Sequence, residues 1–514
     1  MTLKFAFVIF LAASFARCFN AAAEEPRAPA EIDVILWFDT EDYLLPADDD
    51  AAKRLAEMLT ARGIRATFKV VGEKARVLKQ RGRNDVIEAL KKHDIGYHSD
   101  FHSVHPTPSE YLAECGLLDG IAEFERREKR GVADILRIFD LKTLSCYGQP
   151  GSSWGSQAIC ALPLIGVAPH GIPCYVDEGT HIGLDEKPFW YCGALNVFHM
   201  GANKTRMELH DPKVVEQAKE KVTGMADRLR KEGGGLISIY YHPCEWVHRE
   251  FWDGVNFKRG ANPPRELWKA PAQRTEEETN AAFERFGAYI DHIRAIPGAR
   301  FVTASDLPEL YPDAVRKGKA SDATLDAIAA GLLDEKITGV DFIVTGGNSY
   351  SVADQYQQLA ERVYEMNFLQ GGSNHPPLPG GILGPDSAPP PHSDKTKLTW
   401  TEFMDAVRDT NNYVATQHRI PSRIFIGPDS IPPSDFLVAL ASGYAKLRAI
   451  KAIKADETVT LRPMELLPAK RVAEDTPKLF GDWVIHKEGF RAPKILDIAR
   501  LQTWTLKPAI RASK

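Results

Sequence analysis

The sequence predicts an α/β fold, a barrel of β/α units over residues 31–312, followed by a smaller, mainly α-helical repeat domain over residues 325–514. Three observations lead to this prediction. The chain has 514 residues, too many for one ordinary domain. Strand-like and helix-like segments alternate over about 280 residues, which favours a barrel with a parallel sheet over a sandwich. A polar stretch at residues 312–325 then separates this alternation from amphipathic helices joined by proline- and glycine-rich loops.

The individual elements follow from local patterns. Apolar, partly β-branched runs that stop at glycine or at polar residues predict strands at 32–38, 64–71, 95–97, 235–241 and 299–302. Apolar residues at helical spacing predict helices at 51–62, 84–93, 276–296, 352–364, 400–417 and 434–447. Residues 382–390 are echoed by residues 425–433, a period of 43 residues (425 minus 382) that is within the range of helical repeat modules.

Residues 1–23 have the pattern of a signal peptide. Lys4 precedes an apolar stretch at 5–15, and three alanines at 21–23 precede Glu24. The stretch is shorter than the about 20 residues that span a bilayer, and no later segment is apolar enough to cross one. We therefore expect export to the periplasm or the extracellular space. Cleavage would leave six cysteines, some of which could pair there, and none has the Cys-x-x-Cys spacing of a structural zinc site.

The composition is that of a globular protein. Hydrophobic residues make up 44% of the chain and charged residues 26%. The formal net charge is −5, and no basic run is interleaved with aromatic residues. Nucleic acid is therefore not an expected partner.

Polar clusters follow three of the strand-like runs, at residues 39–42, 98–102 and 242–245. Because the carboxyl ends of barrel strands converge on one face, we expect these clusters to lie together. One helical turn would place His98 and His102 on the same side. Two imidazoles and a carboxylate with open positions suit zinc or another divalent metal that holds a water and lowers its pKa.

Three acids, Asp39, Glu41 and Asp42, stand at the end of the first predicted strand. Packed carboxylates repel one another unless a cation neutralises them. Metal-assisted hydrolysis uses one carboxylate as a metal ligand and a second as general base, although one of these acids could instead cap the next helix. His242 could be a general acid that protonates a leaving amine, or a buried structural histidine.

Together these residues resemble the motifs of the polysaccharide deacetylases, carbohydrate esterase family four of the NodB-homology superfamily. Residues 38–42 are similar to the first motif in its Phe-Asp-x-Glu-Asp variant, and residues 96–102 resemble the second. Residues 66–72 are similar to the second-strand signature, and residues 240–245 resemble the last motif. The resemblance covers roughly residues 31–310. It implies a distorted β/α barrel with fewer than eight strands that binds zinc or a similar divalent metal and removes acetyl groups from an N-acetylated sugar.

The resemblance also implies residue roles. Asp39 would be the base, and His242 would be the histidine of the last motif. His98, His102 and an acid, either Glu41 or Asp42 with a slight preference for Asp42, would hold the metal. Two further expectations concern supporting residues: Gln149 stands where the family has an arginine that orients the base, and Asp177 is a candidate acid partner of His242. Glutamine can hydrogen-bond a carboxylate but cannot offset its charge. The remaining histidines near these motifs are expected to be structural or to support the ligands of the site from behind, namely His105, His181 and His199.

The C-terminal part resembles, over residues 414–430, wall-binding repeats of the pseudomurein-binding kind. Trp400, Tyr413 and Phe425 could stack on sugar rings there or belong to the core. Three functions are compatible with the sequence. The first is a metal-dependent N-deacetylase of an acetylated polysaccharide or cell-wall glycan. The others are an amidohydrolase of another small amide and a glycan-binding protein on a catalytically decayed barrel.

Overall fold

The computed structural model describes residues 31–177, 179, 181–198, 205–368, 381–449 and 453–512. The predicted signal peptide and His199 lie outside these residues. Within these ranges, no helix is long and apolar enough to cross a membrane. The six cysteines between residues 115 and 244 are described, and all of them are thiols.

The first unit is built on a parallel sheet. Its strands are β1 Ile32–Thr40, β2 Thr67–Val70, β3 Asp94–Tyr97, β4 Cys174–Val176, β5 Phe189–Tyr191, β6 Ala194–Val197, β7 Gly235–Tyr241 and β8 Ala299–Val302. Strands β3, β2, β1 and β7 are parallel neighbours in that order, and β8 pairs with the first half of β1. Tyr147 bridges β3 to β4, beyond which β6 and β5 follow. The α/β class with a parallel sheet is confirmed, whereas the barrel stays a prediction because the strand pairs of the described residues do not close the sheet.

Helices connect these strands. They are α1 Pro46–Ala61, α2 Gly72–Gln80, α3 Asn84–Leu90, α4 Pro108–Leu112, α5 Leu117–Phe139, α6 Ser156–Ile165, α7 Val215–Lys231, α8 Trp252–Asn256, α9 Glu276–Arg294 and α10 Leu307–Leu310. All nine residues of β1 are buried, as expected of a parallel strand that is covered on both faces. The parallel pairing brings the carboxyl ends of β1, β3 and β7 to one edge of the sheet, and the three polar clusters follow these ends.

The C-terminal region is mainly helical, with short strands between the helices. Its helices are α11 Asp322–Leu333, α12 Val352–Phe368, α13 Trp400–Gln417, α14 Pro433–Ala449 and α15 Pro493–Gln502. Its strands are β9 Gly339–Val340, β10 Ile343–Thr345, β11 Asn348–Tyr350, β12 Lys397–Thr399, β13 Ile424–Ile426, β14 Asp429–Ile431, β15 Thr458–Thr460, β16 Glu465–Leu466 and β17 Lys507–Pro508.

The structural repeat in this region differs from the sequence echo. Residues 425–433 include the β13–β14 hairpin turn, whereas residues 382–390 form no hairpin. The unit that recurs is a hairpin followed by a 17-residue helix, seen in β10–β11 with α12 and in β13–β14 with α14. Trp400 belongs to the core of this region, whereas Phe425 is 64% exposed.

The last part of the chain returns to the first unit. Val472, Phe480, Ile495 and Leu506 belong to the same apolar core as the strands of the parallel sheet. Helix α15 contacts α6, and β17 pairs antiparallel with β5. The predicted division, which assigned all residues from 325 onward to one C-terminal unit, differs from this arrangement because the apolar face of α15 finds its partners in the first unit.

Candidate active site and metal centre

The predicted site residues converge on a cavity of about 540 Å³ at the carboxyl edge of the parallel sheet. Asp39 is the penultimate residue of β1, and Glu41 follows that strand directly. His98 follows β3, and His242 follows β7. All four line the cavity together with His102.

Glu41, His98 and His102 form a set of donors that fits a divalent cation. One ligand atom from each lies within 4.8 Å of the others, and all three side chains are buried. Glu41 Oε2 is 2.7 Å from His102 Nε2 and 3.6 Å from His98 Nε2. Two imidazoles and one carboxylate with room for further ligands are the donor set of catalytic zinc sites.

The two histidines are oriented by contacts of their other ring nitrogens. His98 Nδ1 lies 2.9 Å from the carbonyl oxygen of Gly148, so Nδ1 carries the proton and Nε2 keeps its lone pair towards Glu41. Burial lowers the pKa of His98, which favours the neutral ring that a metal requires. His102 Nδ1 lies 2.5 Å from the Ser103 hydroxyl, which holds that ring in the same way.

The His-x-x-x-His segment is a loop and not the helical turn that the spacing suggested. Ser99 and His102 have φ values of 66° and 59°, which side-chain-bearing residues seldom adopt. The His102 amide donates to Ser99 Oγ at 3.0 Å, and the Asp100 amide donates to the buried Glu128 carboxylate at 2.8 Å. These contacts hold the loop so that the two imidazole centroids are 5.0 Å apart. Backbone strain of this kind is concentrated at functional sites.

Asp42, which the sequence slightly favoured as the metal ligand, lies elsewhere. Its Oδ1 accepts the Leu44 amide at 2.8 Å, and its Oδ2 is 3.1 Å from His248 Nδ1. The side chain is fully buried beside the Lys74 ammonium, which donates to the Asp42 carbonyl at 2.6 Å. Glu41 takes the place among the histidines, because residues 39 and 41 project to the same side of an extended chain and residue 42 to the other.

The different contacts of Asp42 and Glu41 predict opposite effects of two alanine variants on stability and on cation binding. Asp42→Ala leaves the Leu44 amide and His248 without their buried partner, so we expect the free energy of unfolding to fall by about 3 kcal/mol with cation binding retained. Glu41→Ala removes one of the three ligands, so cation binding should be lost while stability changes little. Urea unfolding and metal analysis of both variants test this, and loss of the ion in Asp42→Ala alone would contradict the assignment.

Asp39 lies beside the metal set and between two cationic groups. Its Oδ1 is 2.8 Å from Lys69 Nζ and 3.4 Å from His98 Nδ1, and its Oδ2 is 3.7 Å from His242 Nε2. Burial by itself would raise the pKa of Asp39, but the electrostatic interactions with the His98 ring, the Lys69 ammonium and His242 outweigh burial and lower it. Asp39 is therefore held as a carboxylate, the form that a general base requires.

Lys69 is a buried lysine beside Asp39 that lies in the motif at residues 66–72 and to which the sequence analysis gave no role. It is the Cα partner of Asp39 in the parallel pair β1–β2, is fully buried, and donates to the Val176 carbonyl at 2.9 Å. Burial by itself would lower the pKa of Lys69, but Asp39 and Asp177 outweigh burial and raise it. A Cβ on Gly148 would lie 1.9 Å from Nζ, so the ammonium needs a glycine at that position. The Lys69 ammonium therefore places a positive charge beside Asp39, which the neutral Gln149 does not supply.

The two predicted supporting residues contact other groups than expected. Gln149 lines the cavity, but its Oε1 accepts the Tyr175 hydroxyl and its Nε2 donates to the Gly151 carbonyl at 3.1 Å. Asp177 lies 3.7 Å from Lys69 Nζ. The acid that holds His242 Nδ1 is Glu245, with its Oε1 at 2.8 Å, and not Asp177 as predicted.

His242 and Glu245 form a charged pair. Glu245 is the last residue of the cluster at 242–245. Its carboxylate accepts hydrogen bonds from the His242 amide and ring, and it is also paired with Arg206. Burial by itself would lower the pKa of His242, but the hydrogen bond to Glu245 and the charge of Glu41 outweigh burial and raise it to about 9. His242 is therefore protonated near neutral pH, as a general acid must be.

The remaining histidines have structural contacts. His105 Nδ1 is 2.6 Å from Glu110 Oε2. His181 is fully buried and stacked on Trp154 with centroids 5.0 Å apart, and burial lowers its pKa to about 3.

Comparison with known proteins gives matches among solved structures alone. No family model and no curated protein matches the sequence. One similar structure is a protein from Mycobacterium smegmatis assigned as a polysaccharide deacetylase, with 12% identity over 56% of this chain and 92% of that chain and a TM-score of 0.35. Another is the peptidoglycan deacetylase PdaC from Bacillus subtilis, with 15% identity, 55% and 92% coverage and a TM-score of 0.25. A third is PuuE allantoinase, with 12% identity, 58% and 99% coverage and a TM-score of 0.35. The chain is thus similar to polysaccharide deacetylases in its motifs and among solved structures. Its activity is inferred from the residues of its own site.

Proposed function

We propose that this protein is an exported, metal-dependent hydrolase that removes N-acetyl groups from a polysaccharide or cell-wall glycan. The observation that carries the proposal is the convergence of Glu41, His98 and His102 within 4.8 Å, beside the Asp39–Lys69 pair and the His242–Glu245 pair. These three ligands would hold a divalent cation, zinc or a similar ion. Such an ion polarises an amide carbonyl and lowers the pKa of a water molecule.

The chain's own groups supply the proton transfers. Asp39 takes a proton from the water whose oxygen attacks the acetyl carbonyl carbon, and Lys69 keeps the Asp39 carboxylate oriented and ionised. His242 gives its Nε2 proton to the sugar nitrogen as the carbon–nitrogen bond breaks, and Glu245 holds the ring through Nδ1. The products are acetate and a free amino sugar. Amide hydrolysis uses a base for the attacking water and an acid for the leaving nitrogen, and Asp39 and His242 line the same cavity.

Acetate release tests this function. The full chain is stripped with a chelator, reloaded with zinc or cobalt, and offered N-acetylglucosamine oligomers and a panel of small amides. We expect acetate from an N-acetylated glycan in the reloaded protein and none in the stripped protein. Hydrolysis of a small amide alone would favour an amidohydrolase instead. Glycan binding without hydrolysis, whether or not metal is supplied, would favour the decayed barrel.

Replacement of Lys69 by methionine should reduce kcat about 100-fold, because the Asp39 carboxylate loses its cation and its orientation. The Lys69 charge favours ionised Asp39, so its loss raises the pKa of Asp39 and the acidic limb of the pH–rate profile moves to higher pH. Lys69→Arg keeps the positive charge, so the acidic limb of its pH–rate profile should stay at the wild-type pH. A methionine variant with an unchanged profile would show that Lys69 has only a packing role.

Glu245→Gln should shift the alkaline limb of the pH–rate profile to lower pH by about one unit. The Glu245 carboxylate stabilises protonated His242, so its neutralisation lowers the pKa of His242 and the acid form is lost earlier as the pH rises. Glu278→Gln, which changes an exposed glutamate paired with Arg249, is the matched control. An alkaline limb that does not move in Glu245→Gln would remove His242 from the role of acid.

A further inference from the structure

One wall of the active-site cavity comes from a segment that lies far inside the predicted C-terminal domain, residues 325–514. Asp482, Trp483 and Val484 line the same cavity as Glu41 and His98. The Trp483 ring meets the His102 ring edge to face, with centroids 5.4 Å apart at an angle of 81°. Its Nε1 donates to Asp253 Oδ2 at 2.8 Å. The segment therefore stands directly at the candidate metal centre.

Contacts on both sides fix this segment in place. Val484 and Ile485 accept backbone hydrogen bonds of 2.9 and 2.7 Å from Arg259 and Gly260. On the other side, the Ser152 hydroxyl donates to the Phe480 carbonyl at 2.7 Å. A Cβ on Gly151 would lie 2.2 Å from the Trp483 ring, and Gly151 has a φ of 49°. The absence of a side chain at Gly151 leaves the space that the Trp483 ring occupies, and the contacts with Gly151 and Asp253 hold the ring in place.

The wall has the chemistry of a sugar-binding surface. Phe251 and Val484 are 40% and 41% exposed at the same cavity, which is unusual for large apolar side chains beside buried carboxylates and histidines. Glu250 and Lys258 line the cavity as well. A pyranose ring has an apolar C–H face that packs on aromatic rings and an edge of hydroxyl groups that bond to charged side chains. A small amide would leave this apolar surface uncovered.

We propose that Trp483, Phe251 and Val484 form a glycan-binding subsite beside the metal ligands, so that the C-terminal segment completes the active site and selects an oligomeric or polymeric glycan. The inference rests on the proposed function and names its substrate class. It makes Trp483 a specificity-determining residue that contacts the sugar next to the one being deacetylated.

Kinetics with N-acetylglucosamine oligomers and the monomer test the subsite in the full-length, metal-loaded protein. Trp483→Ala should raise KM for the oligomer about tenfold, with kcat within about threefold of wild type and the metal content unchanged. Trp483→Phe keeps an aromatic ring, so its KM should lie between those of the wild type and Trp483→Ala. Phe368→Ala, which removes a 40% exposed aromatic ring at the end of α12, should behave as wild type.

Two results would overturn the subsite. One is an unchanged KM in Trp483→Ala. The other is a fall in kcat and in metal content at unchanged KM, which would give Trp483 only the role of supporting His102. Calorimetric binding of the oligomer separates this failure from failure of the proposed function. A wild type that binds the oligomer more than about tenfold tighter than Trp483→Ala supports the subsite even without acetate release. Equal binding overturns it, and a wild type that neither binds nor hydrolyses any acetylated glycan overturns both.

Discussion

Asp39→Asn should lose about 10³-fold in kcat while it keeps the metal ion and a near-normal KM. The asparagine amide has nearly the shape of the carboxylate but cannot accept the proton that the attacking water gives up, and a general base contributes about 10²–10⁴-fold. Asp39 is not one of the three converging ligands, so metal content should not change. Acetate release and metal analysis on the same preparation measure both quantities.

Asp177→Asn is the matched control for this variant. Asp177 also lies near Lys69 Nζ, but at 3.7 Å instead of 2.8 Å. We expect its asparagine variant to lose less than about tenfold, because the Asp39–Lys69 contact stays in place. Comparable activity of Asp39→Asn and wild type would remove Asp39 from the role of base.

The His98→Ala/His102→Ala double variant should bind no divalent ion, whereas the wild type should hold about one per chain. Only Glu41 of the three ligands remains in this variant, and a single carboxylate in a wide cavity does not retain a transition metal. Acetate release should fall to the level of the chelator-stripped wild type. Metal analysis after loading with zinc or cobalt and removal of free ion measures the difference.

His105→Ala is the control, since this histidine contacts Glu110 and not the candidate metal centre. It should keep both the ion and the activity. Retention of the ion by the double variant would mean that the metal binds elsewhere. A wild type that takes up no zinc or cobalt would exclude the metal-dependent mechanism and favour a glycan-binding role.

Part of the fold could be predicted because its signals are local. Strands β7 and β8 and helix α13 begin and end at the predicted residues. The two strands are short and mostly apolar, and α13 has a strong helical period with Thr399 as a capping residue. The convergence of the three polar clusters could also be predicted, because parallel strands place their carboxyl ends at one edge. Strands β4, β5 and β6 have three or four residues each, too few for a period to show.

The site residues that the sequence did not identify depend on strand register and on contacts between distant parts of the chain. Lys69 alternates with apolar neighbours as an exposed residue would, and only its pairing with Asp39 across β1 and β2 gives it a role. The choice of Glu41 over Asp42 was available in principle, since a period of two puts residues 39 and 41 on one face. Trp483 gives no local signal at all, because its neighbours in space are His102, Gly151 and Asp253.

The return of the C-terminal segment has a consequence for the order of folding. Arg511 pairs with Glu31 and Asp33 at 2.9 Å each, and β17 adds to the sheet edge at β5. These contacts join residues separated by nearly the whole chain, and contacts of such sequence separation form slowly. During synthesis from the N-terminus, the nascent first unit lacks part of its core until the residues after 500 leave the ribosome. The core of the first unit can therefore be completed only after nearly the whole chain has been synthesised.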